Sequence, residues 1–277
     1  MRTRIFNKMT HNEVQAYLDR GGDTIYIGMG AVEVHGAMPI DCEVILPEAL
    51  ALEMAEQSDG LAMINLPYTY AGGTVISNAT VKMTVKDGME HLRLILYSLV
   101  DQGFRKIIFV SAHVPARITL DALCRDFFDE TKIHVCHISA MGMTMNREKG
   151  RSFDMMIYGA YHKLGQMEFL PVDPDAEPIQ PPKRQGPPPW TNLSRRLKAL
   201  GGNLSLIYEF PEDHFGGKPF ASDEERRAAC EEGLRQIHEA VSEIDLKGLL
   251  DAIDEYHDYV WNVALPKYPR LGGKYPR

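Results

Sequence analysis

Short apolar runs alternate with longer amphipathic stretches through the first two-thirds of this chain. Thr24-Ile25-Tyr26-Ile27-Gly28-Met29-Gly30 predicts a buried strand that ends on glycine. Ala62-Met63-Ile64-Asn65-Leu66-Pro67, Lys106-Ile107-Ile108-Phe109-Val110-Ser111 and Ile133-His134-Val135-Cys136-His137-Ile138 predict three more, with a further strand near Leu204–Tyr208. Between them, helical spacing predicts helices over His11–Leu18, Pro47–Gln57, Val85–Gly103 and Ile118–Thr131, and another over Asp223–Ile244. Thr80–Thr84 reads as a short extended piece. Strands alternating with helices at this spacing imply a three-layer α/β/α fold with a mostly parallel central sheet. Ligands of such sheets bind outside the carboxyl ends of the strands.

The pattern breaks between Val172 and Trp190. Seven of the seventeen residues from Pro174 to Trp190 are proline, too many for a helix or a central strand. This stretch reads as an arm or lid anchored by Trp190, attached to a single α/β domain over 1–277. Of the residues, 44% are hydrophobic and 25% charged, an ordinary globular balance. The net charge is -8 with no basic stripe, which argues against nucleic acid as a partner. Cys42, Cys124, Cys136 and Cys230 have no C-x-x-C spacing, against a zinc knuckle or disulfide scaffold. Cys42 reads as a small buried residue. With no signal-like or membrane-spanning run, a cytoplasmic protein is expected.

The candidate chemistry sits where the strands end. Glu33 and His35 follow the first strand, Asp41 and Glu43 come within ten residues of them, and His113 follows the third predicted strand. Glu33 and His35 at i and i+2 of extended chain would face one volume. Glu168, at the possible start of a helix, completes the set. Mixed imidazole and carboxylate donors suit zinc, manganese or iron(II) better than calcium. Two such metals bridged by one carboxylate would supply a hydroxide at neutral pH and polarise a carbonyl. There is no G-x-S-x-G, and no G-x-G-x-x-G after a strand. His134 and His137 have opposite parity and read as edge or surface histidines.

Gly30-Ala31-Val32-Glu33-Val34-His35-Gly36-Ala37-Met38-Pro39-Ile40-Asp41-Cys42-Glu43 resembles the creatininase (creatinine amidohydrolase) pattern G-[SA]-x-E-x-H-G-P-H-L-P-L-x-T-D. Gly103-Phe104-Arg105-Lys106-Ile107-Ile108-Phe109-Val110-Ser111-Ala112-His113 is similar to that family's G-F-[RK]-x-[IV]-x-[IV]-N-G-H. Lys163–Glu168 and Gly216–Ser222 resemble two weaker motifs, H-A-G-x-x-E-T-S and G-x-x-G-D-P-x-x-A-[TS]. The resemblance implies metal ligands at Glu33, His35 and His113, two divalent metals per subunit, and a compact homo-oligomer, often a hexamer. It places the bridging acid on Glu43, with Asp41 as the competitor, and a ligand or proton shuttle on Glu168. The catalytic histidine of the third motif falls on Lys163, beside His162, and a metal-binding glutamate of creatininase falls on Pro115. These departures make creatinine itself an unexpected substrate. The expected function is hydrolysis of a small polar cyclic amide or related carbonyl compound, with protons moved by Glu168 and Lys163 or His162. Ring-opening C–C hydrolysis of a dehydro-inosose and a non-catalytic metal- or ligand-binding role are the alternatives.

Overall fold

The computed structural model describes residues 1–177, 183–201, 204–214 and 216–272. Among these residues, four strands form one sheet: β1 (Thr24–Met29), β2 (Leu61–Met63), β3 (Lys106–Ser111) and β4 (Val135–Ser139). The order is β2-β1-β3-β4 and every pairing is parallel. Ile25, Ile27 and Met29 of β1 enter one apolar core with Ile107 and Phe109 of β3. Tyr26, Ile108 and Val110 enter the core on the opposite face. The period-two alternation therefore fills both faces, which is why these strands read as unbroken apolar runs.

The helices cover those two faces. Helix α1 spans His11–Asp19, α2 Cys42–Ser58, α3 Val85–Gln102 and α4 Ala116–Thr131. Then come α5 (Met141–Thr144), α6 (Phe153–Lys163), α7 (Trp190–Ala199), α8 (Asp223–Ser242) and α9 (Leu246–Tyr259). Helices α3 and α4 pack on each other over one face of the sheet. Helix α2 is sandwiched between β1 and β2 on one side and α6 and α8 on the other. This explains why α2 is buried from Cys42 to Ala55 and lacks a solvated stripe. The expected α/β/α layering and parallel sheet are found.

Several boundaries differ from expectation. Helix α2 begins at Cys42, before Pro47, because a proline in the first turns of a helix removes only one backbone bond. The residue deprived of that bond is Glu43, whose carbonyl Pro47 cannot reach. A Cβ on Gly30 would stand 1.9 Å from that oxygen, so only glycine lets the end of β1 approach the helix. Strand β2 stops at Met63, and the described residues of Thr80–Thr84 and Leu204–Tyr208 form no strand. Residues 178–182 of the predicted proline-rich arm lie outside the described residues. Its expected anchor, Trp190, opens α7, one residue after Pro189. No described helix is long and apolar enough to cross a membrane.

Candidate metal centre

Strand order reverses at β1, whose two neighbours are β2 and β3. The crevice beyond the carboxyl ends of β1 and β3 is the expected ligand position in such a sheet. The segment after β1 is a closed loop rather than extended chain. Glu33 N–H donates to Ile40 O at 2.9 Å, and Gly36 turns with φ 62°. That loop delivers Glu33 and His35, the first turn of α2 delivers Glu43, and the end of β3 delivers His113. All four are buried, between 1% and 6% exposed.

These four residues meet, and His214 joins them. Glu33, Glu43 and His113 form one group whose donor atoms all lie within 4.8 Å of one another. His35, Glu43 and His214 form a second. Glu43 is common to both, so one carboxylate faces two clusters. His113 Nδ1 contacts Glu43 Oε2 and lies 3.3 Å from Glu33 Oε1. His35 Nδ1 is 3.2 Å and His214 Nε2 3.5 Å from Glu43 Oε1.

The remaining ring nitrogens orient the donors. His113 Nε2 lies 3.0 Å from Tyr70 O, and His214 Nδ1 lies 2.7 Å from Val34 O. A carbonyl only accepts, so each of these nitrogens carries a proton, and the other ring nitrogen is the one that faces the carboxylates. Thr74 Oγ1 donates to Glu33 Oε2. His35 Nδ1 is buried without a hydrogen-bond partner. Burial works against the Glu43 carboxylate, yet His113, His35 and His214 hold its pKa below the ordinary range. Burial also opposes a charged His113, but Glu43 and Glu33 raise it to about 10. Two buried carboxylates thus gather positive charge, and His35 Nδ1, without a well-formed hydrogen bond, lies 3.2 Å from one of them. This donor set fits a divalent cation of the zinc, manganese or iron type.

The cluster forms the floor of a cavity of about 870 Å³. Its walls include Tyr70, Thr74, Met145 and Phe153, and its outer side includes Trp190, Leu206 and Tyr208. Asp154, in the first turn of α6, also lines it, with Oδ2 accepting from Gly217 N–H at 3.0 Å.

The sequence candidates divide clearly. Glu33, His35, Glu43 and His113 are brought together. Asp41 lies outside both clusters and accepts from Tyr161 Oη. Cys42 is fully buried as expected, and burial pushes its thiol pKa well up. His162, Lys163 and Glu168 are not brought to the cluster. Lys163 Nζ lies 2.5 Å from Glu53 Oε2 and 2.6 Å from Glu56 Oε2. Glu53 is ten residues beyond Glu43 on α2, roughly 15 Å along the helix axis. Glu168 is exposed, in a 3₁₀ turn at Met167–Phe169. The short G-x-x-E match put the third motif at the C-terminal end of α6, whereas the cavity meets its N-terminal end at Asp154. His214 and Asp154 enter the cavity unassigned by the motifs. A histidine just before Gly216-Gly217 was the sequence signal for the first; nothing singled out the second.

His137 also differs from expectation. Its side chain is 4% exposed, with Nε2 2.8 Å from Ser111 Oγ and Nδ1 2.6 Å from Asp121 Oδ1. The order is that of a hydrolase triad, but Ser111 is 1% exposed on the α4 side of β3. Its place there ties β3, β4 and α4 together at the strand end that carries His113.

A family model described as creatinine amidohydrolase matches residues 7–164. A creatinine amidohydrolase of Pseudomonas putida is 28% identical over 119 residues, 38% of this chain. That match spans only 43% of the relative's own length. A crystal structure of a candidate creatinine amidohydrolase from Bacteroides fragilis NCTC 9343 superposes with a TM-score of 0.61 at 17% identity. It covers 91% of this chain and 97% of that one. A mutant creatininase complexed with creatine gives a TM-score of 0.56 at 18% identity, over 87% and 98%. Creatininase structures described as manganese and Zn-Zn forms give 0.52 at 17%. At these identities the structural likeness is one of fold.

Proposed function

The chain belongs to the creatininase family, and from that premise we propose that it is a metal-dependent hydrolase of an amide or related carbonyl compound. The observation that carries this reading is the pair of three-donor groups sharing Glu43. Glu33, Glu43 and His113 would hold one cation; His35, Glu43 and His214 would hold a second. Relatives of this fold described as manganese and Zn-Zn forms support that choice of ions. Bound there, the cations would lower the pKa of a water and polarise a carbonyl oxygen.

The chain's own residues prepare that chemistry. Thr74, Tyr70 O and Val34 O fix Glu33, His113 and His214 in the orientation that presents donors inward. Two carboxylates outside both donor groups line the cavity, Asp121 and Asp154, and Asp121 is already engaged by His137 and Arg117. We assign Asp154 the proton transfer to the leaving group that the sequence had suggested for Glu168, Lys163 or His162. Trp190, Leu206 and Tyr208 line the outer side. A cavity of about 870 Å³ lies near the top of the ~300–1,000 Å³ range that encloses drug-sized ligands. The substrate class it suits is an amide with a planar or apolar body larger than a single small ring.

The test is metal content by elemental analysis alongside hydrolysis of a panel of cyclic and acyclic amides. Activity abolished by a chelator and restored by zinc or manganese supports the reading. Protein that neither retains nor takes up a cation refutes it.

A further inference from the structure

The two donor groups differ in what they are attached to. Glu33, Glu43 and His113 all come from the sheet ends and α2. The third member of the other group, His214, follows α7 and Leu204–Tyr208, which line the outer side of the cavity. None of the described residues in 183–214 is buried, and helix α7 contributes no buried residue at all. Leu193, Leu200 and Ile207 of this segment are 50%, 84% and 64% exposed. The apolar burial that holds other elements in place is therefore small here.

What does hold the segment is polar and local. Arg184 pairs with Asp213 and stacks its guanidinium over Phe210, 5.1 Å from the ring centroid, so the segment's two ends are tied to each other. Trp190 packs on Tyr208, and Tyr208 on His214, with centroids 5.5 Å and 5.7 Å apart. Contacts to the floor include Tyr208 N–H to Gly73 O at 3.0 Å and His214 to Val34 O at 2.7 Å. Directly behind, Gly216 lies against His35, where a Cβ would stand 2.6 Å from Nε2. His214 thus reaches the floor as a preset donor, its Nε2 facing Glu43 Oε1 beside His35 Nδ1.

We propose that His214 is the third protein ligand of the cation held by His35 and Glu43, and that this cation latches α7 and residues 204–214 over the cavity. This rests on the metal reading above. It makes loading of that cation and closure of the pocket one event, and lets His214 supply the donor missing at Pro115. The other cation, held by Glu33, Glu43 and His113, carries no such duty.

Full-length protein would be stripped with a chelator and titrated with zinc alone or manganese alone. Bound cation per chain would be measured together with tryptic cleavage at Arg195, Arg196 and Lys198 of α7. In wild type at about ten times the Kd, cleavage should slow roughly tenfold, because binding only the closed form depletes the open one by that ratio. His214→Ala should lose one cation per chain and all of the protection. His113→Ala should lose the other cation and keep the protection, which separates latching from general stabilisation. Thermal melts of both variants identify any that fail to fold. Cation bound by wild type without protection overturns the latch and leaves the metal reading standing. Full cation content and protection in His214→Ala also overturns it. No cation bound by wild type overturns both.

Discussion

The floor of the cavity and its outer wall are built on opposite principles. Glu33, His35, Glu43 and His113 are at most 6% exposed and come from elements buried on several sides. His214 has a side chain 21% exposed, on a segment with no buried described residue. Burial fixes the floor whether or not a ligand is present, while the outer wall depends on a few polar bonds. Such a division puts precision where charge must be placed and low local stability where a substrate must enter. Removing the carboxylate that joins the two halves should have the largest effect. Glu43→Ala is expected to abolish both cation sites and lower kcat/KM by at least ~10²–10³-fold, the scale for losing one charge-stabilising group. Elemental analysis and amide kinetics on a variant with an unchanged melting curve check this. Retention of one cation would mean the two groups are independent.

Glu48 sharpens the comparison from inside the floor. It lies further along α2, 3% exposed, and accepts from Asn65 N–H at 2.5 Å. Burial is the main cause that pushes its pKa to about 7 from 4.5; the Asn65 bond opposes the shift and Asp41 adds to it. The folded chain therefore holds this proton more tightly than the unfolded chain. The contribution to stability is full below pH 4.5 and is lost as pH rises through 7. At most it amounts to about 3 kcal/mol. Glu48→Gln removes the titration, so denaturant-unfolding stability should fall less steeply across this window than in wild type. Parallel curves for the two proteins would overturn the assignment.

A smaller effect should come from orientation alone. Thr74→Val keeps the shape of the side chain and deletes the hydrogen bond to Glu33. Loss of an outer hydrogen bond of this kind typically weakens cation affinity ~10–100-fold. Competition with a chromogenic chelator reads that change directly. The loss should fall on the cation of the Glu33 group and leave tryptic protection of α7 intact.

The floor was legible in the sequence because its residues follow strand ends, and strands announce themselves by unbroken apolar runs. Glu33, His35 and His113 follow that rule. Glu43 stood beside Asp41 as a nearby acid, and only a motif with one deletion chose between them, since Pro47 concealed the true start of α2. The sheet and helices α1 to α4 and α8 were legible from periodicity, whereas α6, buried without a break from Met156 to Tyr161, and α5, α7 and α9 were not. Of the outer wall, only His214 carried a signal, its place just before Gly216-Gly217. Its donor, His214, is brought in by tertiary contacts with Val34 and Gly216 rather than by local periodicity. Asp154 was hidden because a helix start looks alike whether or not it faces a cavity. The triad-like contact of Ser111, His137 and Asp121 joins two strands and a helix, a meeting that parity along one strand cannot reveal.

The smallest expected effect belongs to the residue the third motif favoured. Glu168 is exposed, belongs to neither donor group and does not line the cavity. Replacing it with glutamine removes one solvated charge, so stability should change by no more than about 0.5 kcal/mol. Cation content and kcat/KM should match wild type, whereas Asp154→Asn should lower kcat by roughly 10²–10⁴-fold at unchanged cation content, the range for a lost general acid or base. The two variants together decide which end of α6 does the chemistry. Loss of activity in Glu168→Gln with both cations retained would return the proton transfer to the C-terminal end of α6. Since that end is separated from the floor within one chain, such a result would require a second copy to bring Glu168 to the cavity.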